Sequence, residues 1–318
     1  MGHDHNHDHD HEDDHDHGHG HGHSHGVTDY NNAFLIGTLL NISFVVAEVF
    51  YGYLAHSVAL VADAGHNLGD VLGLLLAWGA SILAKRAPCD RYTYGLRRSS
   101  ILASLFNAVV LLVTVGGISW EAVRRLSTPE PVAEWTVIAI ASLGILINGG
   151  TALLFASGRK GDLNIRGAFM HMASDAALSL GVVLSGFLIL ATGWSWIDPL
   201  LSLVIAGVIV YGTWDLLTHS LNLALDGVPP GIDLKSVESY LAQLPGVIGV
   251  HDLHIWGMST TETALTAHLV LPNGYPGDAF LDEICHHLQE KFSIAHSTLQ
   301  VEIDGTHTCS LEKSHQHA

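Results

Sequence analysis

Positive charge is scarce in this chain. Lysine and arginine number 13 against 31 aspartates and glutamates, giving a formal charge of −18 over 318 residues. No basic face and no run of Lys and Arg interleaved with aromatics can be traced, so nothing here would follow a nucleic-acid backbone and no nucleic acid is expected as a partner. Much of the acidity lies in the first sixteen residues and in the segment after about residue 226, so it belongs to the extremities rather than the middle. Cysteine is rarer still. Cys89, Cys285 and Cys309 are odd in number and widely spaced, which excludes a disulfide framework. Cys309, beside His307, stays open as either a soft metal ligand or an unpaired surface thiol. A cleavable signal peptide is not expected, because the start is polar and acidic. There is no His-Glu-x-x-His helix and no nucleophile with a recognisable base, so an enzyme is not expected.

What is abundant is apolar length. Mean hydropathy is +0.32 and only 14% of residues are charged, too apolar for an ordinary soluble domain. Hydrophobic runs at 33–55, 58–84, 99–120, 135–156, 164–191 and 197–219 each approach or exceed the ~20 residues a bilayer requires. The expected fold is therefore an α-helical membrane protein with six transmembrane helices and both termini on one side. Lys85, Arg86, Arg91, Arg97 and Arg98 flank the second loop, and Arg159, Lys160 and Arg166 the fourth. The opposite face offers only Arg124 and Arg125. This asymmetry predicts cytoplasmic termini. A bacterial inner membrane and an organelle both keep positive loops cytosolic; the short loops lean toward the bacterial case.

Polar residues inside these runs are few and patterned. His66 and Asp70, and again His171 and Asp175, form His-x-x-x-Asp pairs, whose spacing sets both side chains on one helical face about a turn apart. Two such helices could supply four ligands to one divalent cation. Ionisable groups at membrane depth are expensive unless paired or metal-bound, so they are read as functional by default; the alternative is hydrogen-bonding glue between helices. Asp63, three residues before His66, could orient that imidazole or cap the helix end. Asn41, Glu48 and Asn67 add to the polar load of the first two spans. The third and fourth spans, rich in Gly, Ser and Ala with Asn107 and Asn148, read as packing elements. His56 and His219 fall at span ends, where a capping role suits them.

The extremities differ in kind. Residues 1–28 are expected to be a disordered His-rich tail, with eleven histidines in the first 26 residues interleaved with Asp and Gly, a dense but weak chelator. Residues 29–226 make up the membrane domain. After Asp226, Pro229, Pro230 and Gly231 mark a break, and 227–305 read as a small α/β domain of order α-β-β-α-β, the split βαβ or ferredoxin-like kind. Asp233 is the expected N-cap of its first helix. Strands are expected near 247–256, 264–271 and 298–303, and a second helix near 277–291. His251 and His268 lie on successive strands and could converge with His296 and Glu302 on a second, regulatory metal site. Residues 306–318 form a flexible His-containing tail.

Three segments together resemble the cation diffusion facilitator family in its zinc-transporting branch: Asp63-Ala-Gly-His66-Asn-Leu-Gly-Asp70, Ala-Phe-Met-His171-Met-Ala-Ser-Asp175 and Val250-His-Asp-Leu-His-Ile-Trp256. The resemblance covers everything after about residue 28. It implies a homodimer, six transmembrane helices per protomer, and a ferredoxin-like cytoplasmic domain that dimerises and binds metal. It also implies exchange of cytoplasmic metal for outside protons. Carried over position by position, it makes His66, Asp70, His171 and Asp175 the transport site and His251, His268, His296 and Glu302 the cytoplasmic ligands. Arg98 matches a basic position that pairs with an acid, here Asp226. Two departures are visible. Cys89-Asp90-Arg-Tyr-Thr-Tyr lacks the histidines of an extra site some relatives carry, and the loop between the fourth and fifth spans is short and basic rather than His-rich.

Two imidazole nitrogens and two carboxylate oxygens suit tetrahedral Zn²⁺ and disfavour Mg²⁺, while Cd²⁺ and Co²⁺ stay open. Protons and metal compete for the same lone pairs, so proton antiport follows from the ligand set. The rival reading is a membrane-bound metal sensor or store without transport.

Overall fold

A computed structural model of the chain describes residues 30–156 and 163–304. Six long helices come first: α1 (Tyr30–Leu54), α2 (Val58–Ala84), α3 (Ser99–Ser127), α4 (Glu134–Phe155), α5 (Leu163–Thr192) and α6 (Ile197–Ala224). Among the described residues, five of them, α2 to α6, are long and apolar enough to cross a membrane, where six were expected. In α1 the stretch that counts is the shorter Asn41–Leu54. The expected tails 1–28 and 306–318, with His307 and Cys309, lie outside the described residues.

The helical domain is turned inside out relative to a soluble protein. Large apolar side chains such as Trp120 and Tyr211, 75% and 86% exposed, cover its outside. Glu48, Asp63, Asn67, Asp175 and Asp198 are buried inside. That distribution suits a solvent of lipid tails, in which apolar surface needs no cover and polar groups must find partners within the protein. Small residues let the helices close up: a methyl group on Gly144 would stand 2.8 Å from Phe44 Cζ and 2.9 Å from Ser179 Oγ, so α4 lies tight against α1 and α5.

Two helices outrun the expected spans. α3 continues past 120 to Ser127, where Glu121 accepts hydrogen bonds from Arg124 and Arg125 along the last turns. Arg125 also donates to the His56 carbonyl, fastening the α1–α2 turn, in which His56 takes φ +54°. α6 runs on past 219 to Ala224 and hands the chain to the C-terminal domain.

That domain has the expected element order: α7 (Leu234–Ala242), β1 (Gly249–Gly257), β2 (Thr263–Val270), α8 (Asp278–Phe292) and β3 (Ile294–Glu302). Asp233 caps α7 as expected, its carboxylate accepting from the backbone N–H groups of Lys235 and Ser236. The strands form one sheet in the order β1-β2-β3, antiparallel between β1 and β2 and parallel between β2 and β3. A helix is the usual crossover between parallel neighbours, and α8 supplies it. Val237, Leu241, Leu265, Leu269, Ile284 and Leu288 form the core under the sheet. β3 begins four residues before the expected 298, a difference that decides where His296 falls.

The domain docks under the membrane helices. Arg97 Nη1 donates to Glu262 Oε2 at 2.6 Å, Arg98 pairs with Asp226 as the resemblance implied, and the Thr260 N–H donates to Ser100 Oγ at 3.1 Å.

Candidate metal centre

α2 and α5 each bring one His-x-x-x-Asp pair to the middle of the helical domain, and the two pairs meet. His66 Nε2 lies 3.2 Å from Asp175 Oδ1 and 3.8 Å from Asp70 Oδ2. His171 Nε2 lies 3.5 Å from Asp70 Oδ2 and 3.7 Å from Asp175 Oδ2. Each histidine thus faces both carboxylates, its own helix's and the other's. His66, Asp70 and Asp175 offer ligand atoms all within 4.8 Å of one another, and His171, at 42% exposure the most open of the four, closes the ring from α5. Asp70 Oδ2 and Asp175 Oδ2 are buried without a hydrogen-bond partner. Buried carboxylate oxygens without donors are unstable unless a cation completes them. A set of two nitrogens and two carboxylates, with two of its oxygens orphaned, fits a tetrahedral divalent ion.

Asp63 takes neither expected role. It accepts from Ser179 Oγ at 2.9 Å, and the helix cap falls to Ser57, whose side chain accepts from the Leu60 N–H. Ser57 in turn donates to Asp198 Oδ1 at 2.5 Å, and Asp198 Oδ2 accepts from the Val58 and Ala59 N–H groups at 2.7 and 3.3 Å. Asp198, on α6, therefore caps α2 from outside it, where carboxylate charge complements the helix N-terminus. Sequence reasoning passed this residue over; the signal available was a lone acid opening an apolar run. Asn67 Nδ2 donates to Glu48 Oε2 at 3.0 Å, tying α2 to α1.

A cavity of about 620 Å³, lined by Gly73, Ser81, Lys85, Ser104, Asn107 and Glu262 among others, lies between α2, α3 and the β1–β2 turn. Its inner end is less than one helical turn along α2 from Asp70.

The second cluster lies on the sheet. His251 and His268 are directly paired across β1 and β2, with ring centroids 5.0 Å apart. Glu302, at the end of β3, reaches both: Oε2 lies 3.0 Å from His251 Nε2 and Oε1 2.9 Å from His268 Nδ1. Their ligand atoms lie within 4.8 Å of one another. Burial is the largest single influence on the Glu302 carboxyl and pushes it up, yet the His251 hydrogen bond and the neighbouring charges together hold it below its ordinary value.

His296 does not join this cluster. Because β3 runs parallel to β2, His296 sits opposite Ala264 at one end while Glu302 sits opposite Val270 at the other. Its ring instead meets Tyr94 edge-on at 5.8 Å, beneath the membrane helices. Asp252, at φ +50° in a bulge of β1, lies closer to the cluster: Oδ2 is 3.7 Å from His268 Nε2 and Oδ1 3.1 Å from His254 Nε2.

Comparison with known proteins covers both halves of the chain. Residues 34–223 match the cation efflux transmembrane domain and residues 229–304 the cation efflux protein cytoplasmic domain. The metal cation efflux system protein CzcD of Cupriavidus metallidurans is 37% identical over 269 residues, covering 84% of this chain and 85% of that protein. The zinc transporter ZitB of Escherichia coli is 35% identical over 283 residues, covering 86% and 90%. The cadmium, cobalt and zinc/H(+)-K(+) antiporter of Bacillus subtilis is 33% identical over 275 residues, covering 85% and 88%.

Proposed function

The chain belongs to the cation efflux family, and from that premise we propose that it exports Zn²⁺, with Cd²⁺ and Co²⁺ as further substrates, from the cytoplasm in exchange for protons. The observation that carries this reading is the convergence of His66, Asp70, His171 and Asp175 at membrane depth, with two buried carboxylate oxygens that lack donors. A sensor or store can hold metal on its soluble ends and has no need of such a quartet between its helices.

The chemistry follows from the ligands. Zn²⁺ requires neutral imidazoles and ionised carboxylates, so loading releases protons and reprotonation expels the metal. Facing the cytoplasm, the quartet takes up the ion by way of the cavity between α2, α3 and the β1–β2 turn. Facing outward, it meets a higher proton concentration and lets go.

α1 supplies the sixth crossing, completing six per protomer. The basic residues between α2 and α3 and between α4 and α5 keep both termini cytoplasmic, in a bacterial inner membrane. The segment 227–305 serves as the cytoplasmic dimerisation module, joined to a membrane domain of 29–226, and two copies make a homodimer. His251, His268 and Glu302 fit a regulatory Zn²⁺, since two imidazoles and one carboxylate stand within 4.8 Å of one another. Residues 1–28 buffer metal near the entrance.

The test is Zn²⁺ flux in sealed vesicles with a pH gradient imposed, abolished or reversed. Accumulation that follows the sign of the gradient supports exchange with protons. Flux and accumulation indifferent to the gradient refute it.

A further inference from the structure

One cluster of buried titratable groups is left over once the quartet is assigned. Glu48 on α1 and Asp63 on α2 are both fully buried, and they are neighbours: Asn67, one turn after Asp63 on α2, already reaches Glu48. Each has one oxygen already served by the protein: Asn67 Nδ2 donates to Glu48 Oε2, and Ser179 Oγ donates to Asp63 Oδ2. Treated as two carboxylates, the pair leaves Glu48 Oε1 and Asp63 Oδ1 without a donor, and the buried Asn67 Oδ1 beside them is an acceptor without a partner as well. Three acceptors and no hydrogen is an arrangement that lacks one ingredient. A single proton shared by the two carboxyl groups serves two of the three, since two neighbouring acids cannot both ionise in a dry site.

The position of the pair gives that proton a use. Asp63 lies three residues before His66 on α2, and Ser179 lies four residues after Asp175 on α5, so the pair stands about one helical turn from the quartet on both helices. It lies toward the Ser57 end of α2, whereas the cavity lined by Gly73, Ser81 and Lys85 lies toward the other. Metal and proton sites are thus arranged in series along the bundle. The charged groups facing the pair are Asp175 on α5 and His66 on α2. Asp198 of α6 is already engaged at the α2 N-terminus, and Glu121, Arg124 and Arg125 of α3 and Glu134 of α4 lie at helix ends.

We propose that Glu48 and Asp63 hold one proton between them and release it to solvent when a divalent cation enters the quartet, giving the chain a proton site separate from its metal ligands. The bond broken is the carboxyl O–H, its electron pair stays on the acid, and the incoming dication offsets the negative charge left behind. On reprotonation from the far side the pair regains its hydrogen as the metal leaves. The proposal rests on the quartet being the cargo site.

Proton release on Zn²⁺ binding is measured on the purified full chain by calorimetry in buffers of different ionisation enthalpy. The same measurement on Asp70→Ala is subtracted, to remove the contributions of the tail and the C-terminal domain. Glu48→Gln and Asp63→Asn are each expected to lower the quartet-linked count by about one proton per ion, and the double variant to lower it no further. An unchanged count in both single variants overturns the proposal, as does a second proton lost in the double variant. Infrared difference spectra of the unsubstituted chain supply a test that needs no variant to fold. A protonated-carboxyl carbonyl band is expected in the metal-free protein and is lost on adding Zn²⁺; its absence overturns the proposal. Should Asp70→Ala bind Zn²⁺ as the unsubstituted chain does, it is the quartet that fails, while absence of the infrared band still overturns the proton pair.

Discussion

Replacing Asp198 should loosen α2 at the end from which both of its quartet ligands are held. The carboxylate accepts the Ser57 hydroxyl and the Val58 and Ala59 N–H groups, all buried. A hydrogen bond to a charged partner contributes about 1.5–3 kcal/mol, and loss of an N-cap about 1 kcal/mol. These contributions overlap, because one side chain makes all the contacts. Removing a charged partner while its donors stay buried is expected to destabilise by about 3 kcal/mol, on the order of a hundredfold in the unfolding equilibrium. Asp198→Asn keeps an acceptor oxygen and loses the charge, so its cost is about 1 kcal/mol. Reversible unfolding in mixed micelles, titrated with a denaturing detergent and followed by tryptophan fluorescence, reads both variants. If Asp198→Ala unfolds within about 0.5 kcal/mol of the unsubstituted chain, the cap supplied by α6 is not what holds α2.

Three shorter predictions follow from the same geometry. His268→Ala should remove the metal site proposed on the sheet, lowering the number of Zn²⁺ ions held by the chain in equilibrium dialysis, whereas His296→Ala leaves that number unchanged; equal losses would restore His296 as a ligand. The Asp233 carboxyl is held below its ordinary value by the Ser236 hydroxyl and the α7 N–H groups, so its contribution is present above the unfolded value of about 3.9 and is lost as pH falls through the lower folded value. Thermal unfolding of the C-terminal domain should carry an acid-side slope below about pH 4 that shrinks in Asp233→Asn, and an unchanged slope counts against the cap. On Gly69 an added methyl would stand 2.0 Å from Leu111 Cδ2, so Gly69→Ala should cost about 1–3 kcal/mol by forcing α2 and α3 apart, read by the same detergent titration; no change would mean that Leu111 simply turns aside.

Much of this architecture was legible because lipid simplifies the grammar of a sequence. Long apolar runs located five crossings and α1, and a four-residue spacing on such a run was enough to pair His66 with Asp70 and His171 with Asp175. Proline and glycine at 229–231 marked the start of the second domain, and Asp233 was recognisable as its first cap. What escaped were contacts between elements distant in sequence. Asp198 caps a helix 140 residues before it, and no local pattern announces that. Both His296 and Glu302 lie near the last strand, which in sequence suggests one cluster, but strand direction and an earlier start for β3 send them to opposite ends of the sheet. Asp252 was hidden by a bulge, which breaks the alternation used to assign faces. Helical spacing points Asp63 toward its own helix, whereas its hydrogen-bond partner, Ser179, comes from α5.

The most direct test of the central claim is Zn²⁺ flux into sealed vesicles under an imposed pH gradient, comparing the intact chain with Asp70→Ala and Asp175→Ala, each first checked for folding. Flux in the intact protein that vanishes in both variants is the result expected of a transporter working through the intramembrane quartet. Flux that survives both substitutions, or is absent from the intact protein, contradicts it.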